Sequence, residues 1–119
     1  MKELTVSLIL LAVVIILVIA NALYVNSTLE QLGELTEKAF NERSEESVSE
    51  LIGFWEKHKP LVGLSASLRE IDSVTENMLN LQTSFKESNE VIAEQSYSLL
   101  RNALDDIRRY EKISIINVF

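Results

Sequence analysis

The sequence contains no cysteine, and it has a single histidine and a single proline in 119 residues. Without cysteine the chain forms no disulfide and offers no thiolate as a nucleophile or metal ligand. His58 has no second ligand at the spacing of metal-binding motifs, so we interpret it as an ordinary surface or turn histidine. Neither a Gly-x-Ser-x-Gly turn nor a glycine-rich phosphate loop is present. These absences predict a protein that is not an enzyme and that uses no metal or other cofactor.

Positive charge is also scarce in the part of the chain that follows Val25. This part carries 10 Lys and Arg against 17 Asp and Glu, so the whole net charge of −7 falls on it. An acidic surface repels the phosphate backbone, which excludes nucleic acid as a partner. The remaining length of about 94 residues suffices for one small domain.

An apolar run over residues 4–25 contains no charged side chain. A helix of 22 residues is about 33 Å long and exceeds the ~30 Å hydrocarbon core of a bilayer. We therefore predict a transmembrane anchor over residues 1–25, with the lipid bilayer as a partner. The alternative is a signal peptide cut at Ala20-Asn21-Ala22, which would leave a secreted domain, although signal peptides have shorter apolar cores.

The distribution of basic residues predicts the orientation of this anchor. Lys2 precedes the run, and the next basic residue is Lys38. Positive charge favours the cytoplasmic side, so we expect a single-pass protein with its N-terminus in the cytoplasm and its domain outside.

Residues 26–112 are patterned as helices. Apolar residues recur at three- and four-residue steps, polar residues at 41–44 and 86–89 separate the segments, and no stretch alternates for long enough to form a strand. Pro60 and Gly63 predict a turn or sharp kink over residues 59–65. Gly33 and Gly53 fall inside helices, where close helix approach would explain them. The expected core residues are Leu29, Leu32, Leu35 or Thr36, Ala39, Phe40, Val48, Leu51, Ile52, Trp55, Leu64, Leu68, Ile71, Val74 or Thr75, Met78, Leu81 or Gln82, Phe85, Ile92, Leu99, Leu100, Ala103, Leu104 and Ile107.

This pattern predicts an all-α fold, in which an N-terminal transmembrane helix is followed by a three- or four-helix antiparallel up-and-down bundle. If the first helix rises from the membrane and four helices run up-down-up-down, the C-terminus returns to the membrane surface. The apolar tail over residues 113–119 would then either close the base of the bundle or dock onto a partner in the membrane. Its apolar side chains are Ile113, Ile115, Ile116, Val118 and Phe119.

Three carboxylates step by four residues along one predicted helix face, at Glu42, Glu46 and Glu50. Like charges at this spacing repel each other, and a divalent cation would relieve the repulsion. A solvated acidic face is the simpler interpretation, because calcium takes six to eight oxygen ligands that usually come from a loop.

Several motifs resemble domain-of-unknown-function family 4363, which comprises short single-anchor proteins of Gram-positive bacteria. They are the anchor followed at once by helix, the segment Phe54-Trp55-Glu56-Lys57-His58-Lys59, the triplet Glu70-Ile71-Asp72, and residues 111–119 with their final Asn-Val-Phe. Leu68-Arg69 and Pro60 depart from the family pattern. The resemblance implies an uncharacterised helical protein of the bacterial cell membrane that works beside a small multi-spanning membrane protein, and it implies no chemistry.

Together these observations predict an extracytoplasmic interaction or accessory protein that docks a membrane protein. The first alternative is a sensory bundle that binds a small ligand or cation between its helices. Such sensors normally use a second transmembrane helix, which the sequence does not provide. The second alternative is a cleaved, secreted bundle. The sequence does not predict an oligomeric state.

Overall fold

The computed structural model describes the backbone of residues 1–64 and 66–118 and the side chains of residues 1–64 and 66–109. Its helices are α1 (Lys2–Glu42), α2 (Glu45–Val62), α3 (Leu68–Lys86) and α4 (Glu90–Val118). No strand occurs in these residues. The predicted all-α fold, a long apolar N-terminal helix followed by a helical bundle, is confirmed.

The four helices pack as a ring. α1 contacts α2 and α4, and α3 contacts the same two helices from the opposite side. Since consecutive helices are joined by short turns, the arrangement is an up-and-down four-helix bundle. α1 runs without a break from the apolar run into the bundle, where its first buried residues are Ala22 and Val25. At 41 residues α1 is about 61 Å long, and it accounts for most of the 68 Å length of the molecule.

Two serine caps fix the starts of α2 and α3. Arg43 ends α1 in the left-handed conformation (φ 51°), and the Ser44 hydroxyl then accepts a hydrogen bond from the backbone N–H of Ser47 at 3.1 Å. At the start of α3, Ser67 and Glu70 form a reciprocal capping box. The break predicted over residues 41–44 is observed at residues 43–44, and the one predicted over residues 86–89 is observed at residues 87–89.

The turn predicted over residues 59–65 begins too early. α2 continues through Pro60 and ends at Val62, so the prediction is wrong for residues 59–62. Proline has no backbone N–H, so one carbonyl of the preceding helical turn loses its hydrogen-bond donor. Pro60 is exposed in the last turn of α2, where that carbonyl can bind water instead. Val62 is fully buried, and its packing holds that turn in the helix. Ser65, the last residue of the predicted turn, lies outside the described residues.

The core forms around Trp55. This side chain is fully buried, and its Nε1–H donates a hydrogen bond of 2.8 Å to the Thr75 hydroxyl, which donates in turn to the Ile71 carbonyl at 3.0 Å. Buried residues from all four helices form one cluster with Trp55, and they include most of the predicted core. They are Val25, Leu29, Leu32, Ala39, Val48, Leu51, Val62, Ile71, Val74, Met78, Leu100, Ala103, Leu104 and Ile107.

Four leucine and isoleucine residues that we expected in the core are exposed. Leu64 lies in the turn before α3, and Leu68 is the first residue of that helix, one turn before its first buried position, Ile71. On α4 the interior positions are taken by Ala93 and Ser96, so Ile92 and Leu99 face outward. Because some buried positions of α4 hold small residues, the spacing of its large apolar residues does not identify its buried face.

Candidate functional site

The first half of α1 is an exposed apolar helix. Large apolar side chains on all its sides are accessible, for example Leu10, Ile16 and Leu17. This helix is long and apolar enough to cross a membrane, and its most apolar window is only 6% buried, unlike the core helix of a soluble protein. A membrane anchor and a signal sequence both have these properties.

The register between α1 and α4 places the C-terminal tail beside this apolar helix. The Phe40 ring stacks on that of Tyr97 with 4.2 Å between ring centroids, and Arg43 forms an ion pair with Glu90 beyond them. Because antiparallel helices have the same rise, each residue further along α4 lies one residue further back along α1. The end of α4 at Val118 thus comes level with about residue 20, inside the apolar run.

The predicted partner-binding residues occupy this last part of α4. The backbone of Ile113, Ile115, Ile116 and Val118 is helical, so the tail continues α4 rather than folding separately. The side chains of these four residues and the whole of Phe119 lie outside the described residues. Their predicted contacts therefore stay a prediction.

A second apolar surface lies at the same end of the bundle, in the turn between α2 and α3. Leu61, Leu64 and Leu68 expose 47%, 76% and 75% of their surface. We define these three side chains as the leucine turn. The sequence pattern did not predict it, because Leu64 and Leu68 fit the helical spacing of α3. Pro60 and Gly63, which mark a nearby chain reversal, are the signal that could have revealed it.

His58 joins α2 to the end of the apolar run. Its Nδ1 lies 2.5 Å from the Tyr24 hydroxyl and shares a hydrogen bond with it, whose direction depends on the imidazole tautomer. The His58 ring also packs on Phe54 with 4.3 Å between centroids. His58 is therefore a half-buried helix residue with a structural partner.

Two of the three carboxylates of the predicted acidic face have hydrogen-bond partners within the protein. Glu50 accepts a hydrogen bond of 3.3 Å from Lys38, and Glu42 accepts one from the Ser47 hydroxyl. Hydrogen bonding and attraction to Glu50, followed by attraction to Glu42, raise the pKa of Lys38. No group of three or more His, Asp or Glu in the described part of the chain is arranged to hold a metal ion. Glu46 shares the exposed face with the other two.

A groove between α1 and α4 opens at Gly33. It has a volume of about 230 Å³, and a Cβ added at Gly33 would meet no atom within 4 Å. The same holds at Gly53, so close helix approach is the wrong explanation for both glycines. Most of the lining is charged, with two cations against four carboxylates: Arg101, Arg108, Glu30, Glu34, Glu37 and Asp105.

Comparison with known families gives a match over most of the chain. The model of the family described as Domain of unknown function (DUF4363) matches residues 14–118. The chain belongs to this family. The DUF4363 match includes half of the exposed apolar helix, the leucine turn and nearly all of the tail, so the family domain extends well beyond the packed bundle. Comparisons with curated proteins and with solved structures give no significant match.

Proposed function

We propose that this DUF4363 protein is a membrane-anchored accessory protein without catalytic activity, which docks a membrane protein through the C-terminal end of α4. In this proposal α1 crosses a bacterial cell membrane once, with the N-terminus in the cytoplasm and the bundle outside. The observation that carries the proposal is the division of α1. One uninterrupted helix leaves its apolar first half exposed and supplies its second half to the bundle core.

The continuity of α1 supports a retained anchor rather than a cleaved signal peptide. Cleavage at Ala20-Asn21-Ala22 would cut the helix where Ala22 and, one turn later, Val25 are buried. The new N-terminus would be Leu23, in the middle of a helical turn that packs against the bundle. A signal peptide normally ends in a segment that is separate from the mature fold.

The position of the tail supports docking within the membrane or at its surface. The last turns of α4 run beside about residues 20–25 of α1, which form the outer end of the proposed span. Five of the seven residues at 113–119 are apolar. A helix with such a composition at this depth can contact lipid or the transmembrane surface of another protein.

The test compares the intact chain with a chain that ends at Lys112, both expressed in native membranes. A photo-crosslinking amino acid at Ile116 should capture a specific membrane protein. The same group at Leu99, an exposed residue in the distal part of α4, should not capture it. Truncation should abolish binding of that protein to the chain and leave the helicity and thermal unfolding of the bundle unchanged.

Two results would contradict the docking proposal. The truncated chain could unfold, which would show that the tail closes the base of the bundle. Alternatively, the positions at Ile116 and Leu99 could give the same adducts, which would show that contact at the tail is unspecific.

The charged α1–α4 groove is the observation that we weigh for the alternative of a ligand-binding bundle. Its volume of about 230 Å³ is below the ~300–1,000 Å³ of typical ligand pockets, and most of its lining is charged. Such a groove suits a small, polar and charged ligand at most. If the bundle binds a ligand in this groove, substitution of Gly33 by Leu should fill the groove and abolish ligand binding, while crosslinking through the tail should persist.

A further inference from the structure

The leucine turn exposes three large apolar side chains within eight residues of sequence. Leu64 and Leu68 expose about three-quarters of their surface, more than Leu79, Ile92 or Leu99 elsewhere in the bundle. The α1–α2 turn at the opposite end is built differently. It contains Arg43 and Ser44, followed by Glu45 and Glu46 at the start of α2. The leucine turn and the α1–α2 turn therefore present different surfaces, while Val91 and Ile92 are exposed beside the α3–α4 turn.

The register of α2 against α1 fixes the level of the leucine turn. The Tyr24 hydroxyl and His58 Nδ1 are 2.5 Å apart, so these residues lie at about the same height. α2 runs antiparallel to α1 and continues for four residues beyond His58 to Val62. Val62 is then level with about residue 20 of α1, and Leu64 lies beyond it, alongside the apolar run.

The distribution of charge follows the same axis. Six of the ten basic residues after Val25 lie in the half of the bundle that contains the leucine turn, and they are Lys57, Lys59, Arg69, Arg108, Arg109 and Lys112. The opposite half carries ten of the seventeen acidic residues, which are Glu34, Glu37, Glu42, Glu45, Glu46, Glu50, Glu76, Glu87, Glu90 and Glu94. The half near the leucine turn therefore carries six basic and seven acidic side chains and is nearly neutral, and the excess negative charge of the domain lies in the opposite half. Basic side chains beside exposed leucines favour contact with anionic headgroups above an acyl region.

We infer that the leucine turn is a lipid-docking surface, which inserts Leu61, Leu64 and Leu68 into the interfacial region of the bilayer that α1 crosses. This inference rests on the membrane anchoring in the proposed function and is independent of the protein partner. Lys57 and Arg69, both exposed, lie among the lipid headgroups. The bundle then has two attachments to the membrane, the α1 span and the leucine turn, and these fix its tilt relative to the bilayer.

The absence of cysteine allows a clean test, because any introduced thiol is the only one in the chain. Full-length Leu64→Cys, Val91→Cys and Leu11→Cys would each carry a bimane fluorophore in vesicles of phosphatidylglycerol and phosphatidylethanolamine. Val91 is the matched control, since it is 66% exposed and lies near the α3–α4 turn at the opposite end. Leu11, in the middle of the apolar run, reports whether α1 spans the bilayer. Quenching by lipids brominated at defined acyl carbons gives the depth of each label.

The inference predicts several-fold stronger quenching at position 64 than at position 91, with shallow brominated lipids quenching position 64 best. Replacement of Leu61 and Leu68 by Ser should reduce quenching at position 64 and leave it unchanged at position 11. Equal, weak quenching at positions 64 and 91 would overturn the inference while deep quenching at position 11 upheld the anchor. Weak quenching at position 11 would overturn both proposals. The label at position 64 could instead be shielded in native membranes but not in these vesicles. This result would show that a protein covers the leucine turn, and it would also overturn lipid docking.

Discussion

Residues 2–21 and 22–42 of α1 share one helical backbone but bury different proportions of their side chains. In the first half, apolar residues occupy every side of the helix, and Leu10 and Leu11 expose 60% and 55% of their surface. In the second half the buried residues form one stripe that includes Val25, Leu29 and Leu32. A helix that is apolar on all sides has no face that prefers the bundle, whereas a stripe defines one. Periodicity, rather than hydrophobicity, therefore decides which half of α1 belongs to the core.

The same leucine-to-alanine substitution in each half should give the largest contrast. Leu32 is fully buried, and Leu32→Ala should lower the free energy of unfolding of the bundle by about 2–5 kcal/mol, because it creates a cavity. Leu10→Ala should leave that free energy unchanged, since the side chain lies outside the core. Denaturant unfolding of the full-length protein in detergent micelles measures both. Equal effects of the two substitutions would contradict the division of α1.

A charge introduced in the first half of α1 should impair membrane insertion. Leu11→Asp should disfavour membrane insertion by about 2.5–3.5 kcal/mol, the value for an aspartate at the centre of a span. Leu99→Asp is the matched control, because Leu99 is 54% exposed and Leu11 is 55% exposed. Membrane fractionation after alkaline extraction should find the Leu11→Asp chain released and the Leu99→Asp chain retained. Release of the Leu99→Asp chain as well would show that the apolar helix does not anchor the protein.

The boundary between the two halves lies at Tyr24 and His58. Tyr24→Phe removes the hydroxyl that is hydrogen-bonded to His58, and should lower the free energy of unfolding by about 0.5–1.5 kcal/mol. The neighbouring Leu23 is exposed, so Leu23→Ala should have no effect on bundle stability. Both are measured by thermal unfolding in micelles. If Tyr24→Phe proved as neutral as Leu23→Ala, the bundle would begin further along α1.

Local sequence patterns predicted the fold class and most helix boundaries, because these depend on short-range periodicity and on caps such as Ser44. The inclusion of Ala22 and Val25 in the core was not predictable in this way. They lie in an apolar run where every position has the same character, and only the packing of α2 and α4 distinguishes the buried side. Pro60 was misleading because the cost of a missing donor depends on whether the freed carbonyl is solvated, which is a property of the fold.

Local sequence patterns were limited in the same way in predicting the candidate surfaces. The apolar tail was recognised from composition, and the up-and-down topology that returns it to the apolar run follows from the number of helices. The leucine turn was missed, since Leu64 and Leu68 extend the helical spacing of α3, although that helix begins only at Leu68. The contact between Tyr24 and His58 joins residues 34 positions apart and depends on the register of two helices. Local patterns do not specify that register.

The smallest effect is expected from the ion pair between Lys38 and Glu50, at the end of α1 farthest from the apolar half. The 3.3 Å contact is exposed on both sides, so Lys38→Met should destabilise the bundle only slightly at neutral pH. Glu50 raises the pKa of Lys38 from its usual 10.5, which means that the folded state holds this proton more tightly than the unfolded chain does. The stabilisation is therefore complete below pH 10.5 and is lost as the pH rises through the higher folded value.

The expected measurement is a difference in denaturation midpoint between the native chain and Lys38→Met that narrows above pH 10.5 and also narrows at high salt. Glu50→Gln should remove the same stabilisation, and the double variant should be no less stable than either single variant, because both changes remove one shared contact. Additive losses would assign the effect to the helix propensities of the substituted residues. A difference that stays constant from pH 7 to pH 11 would show that the lysine charge does not contribute, and that the distal half of α1 is held by its buried stripe alone.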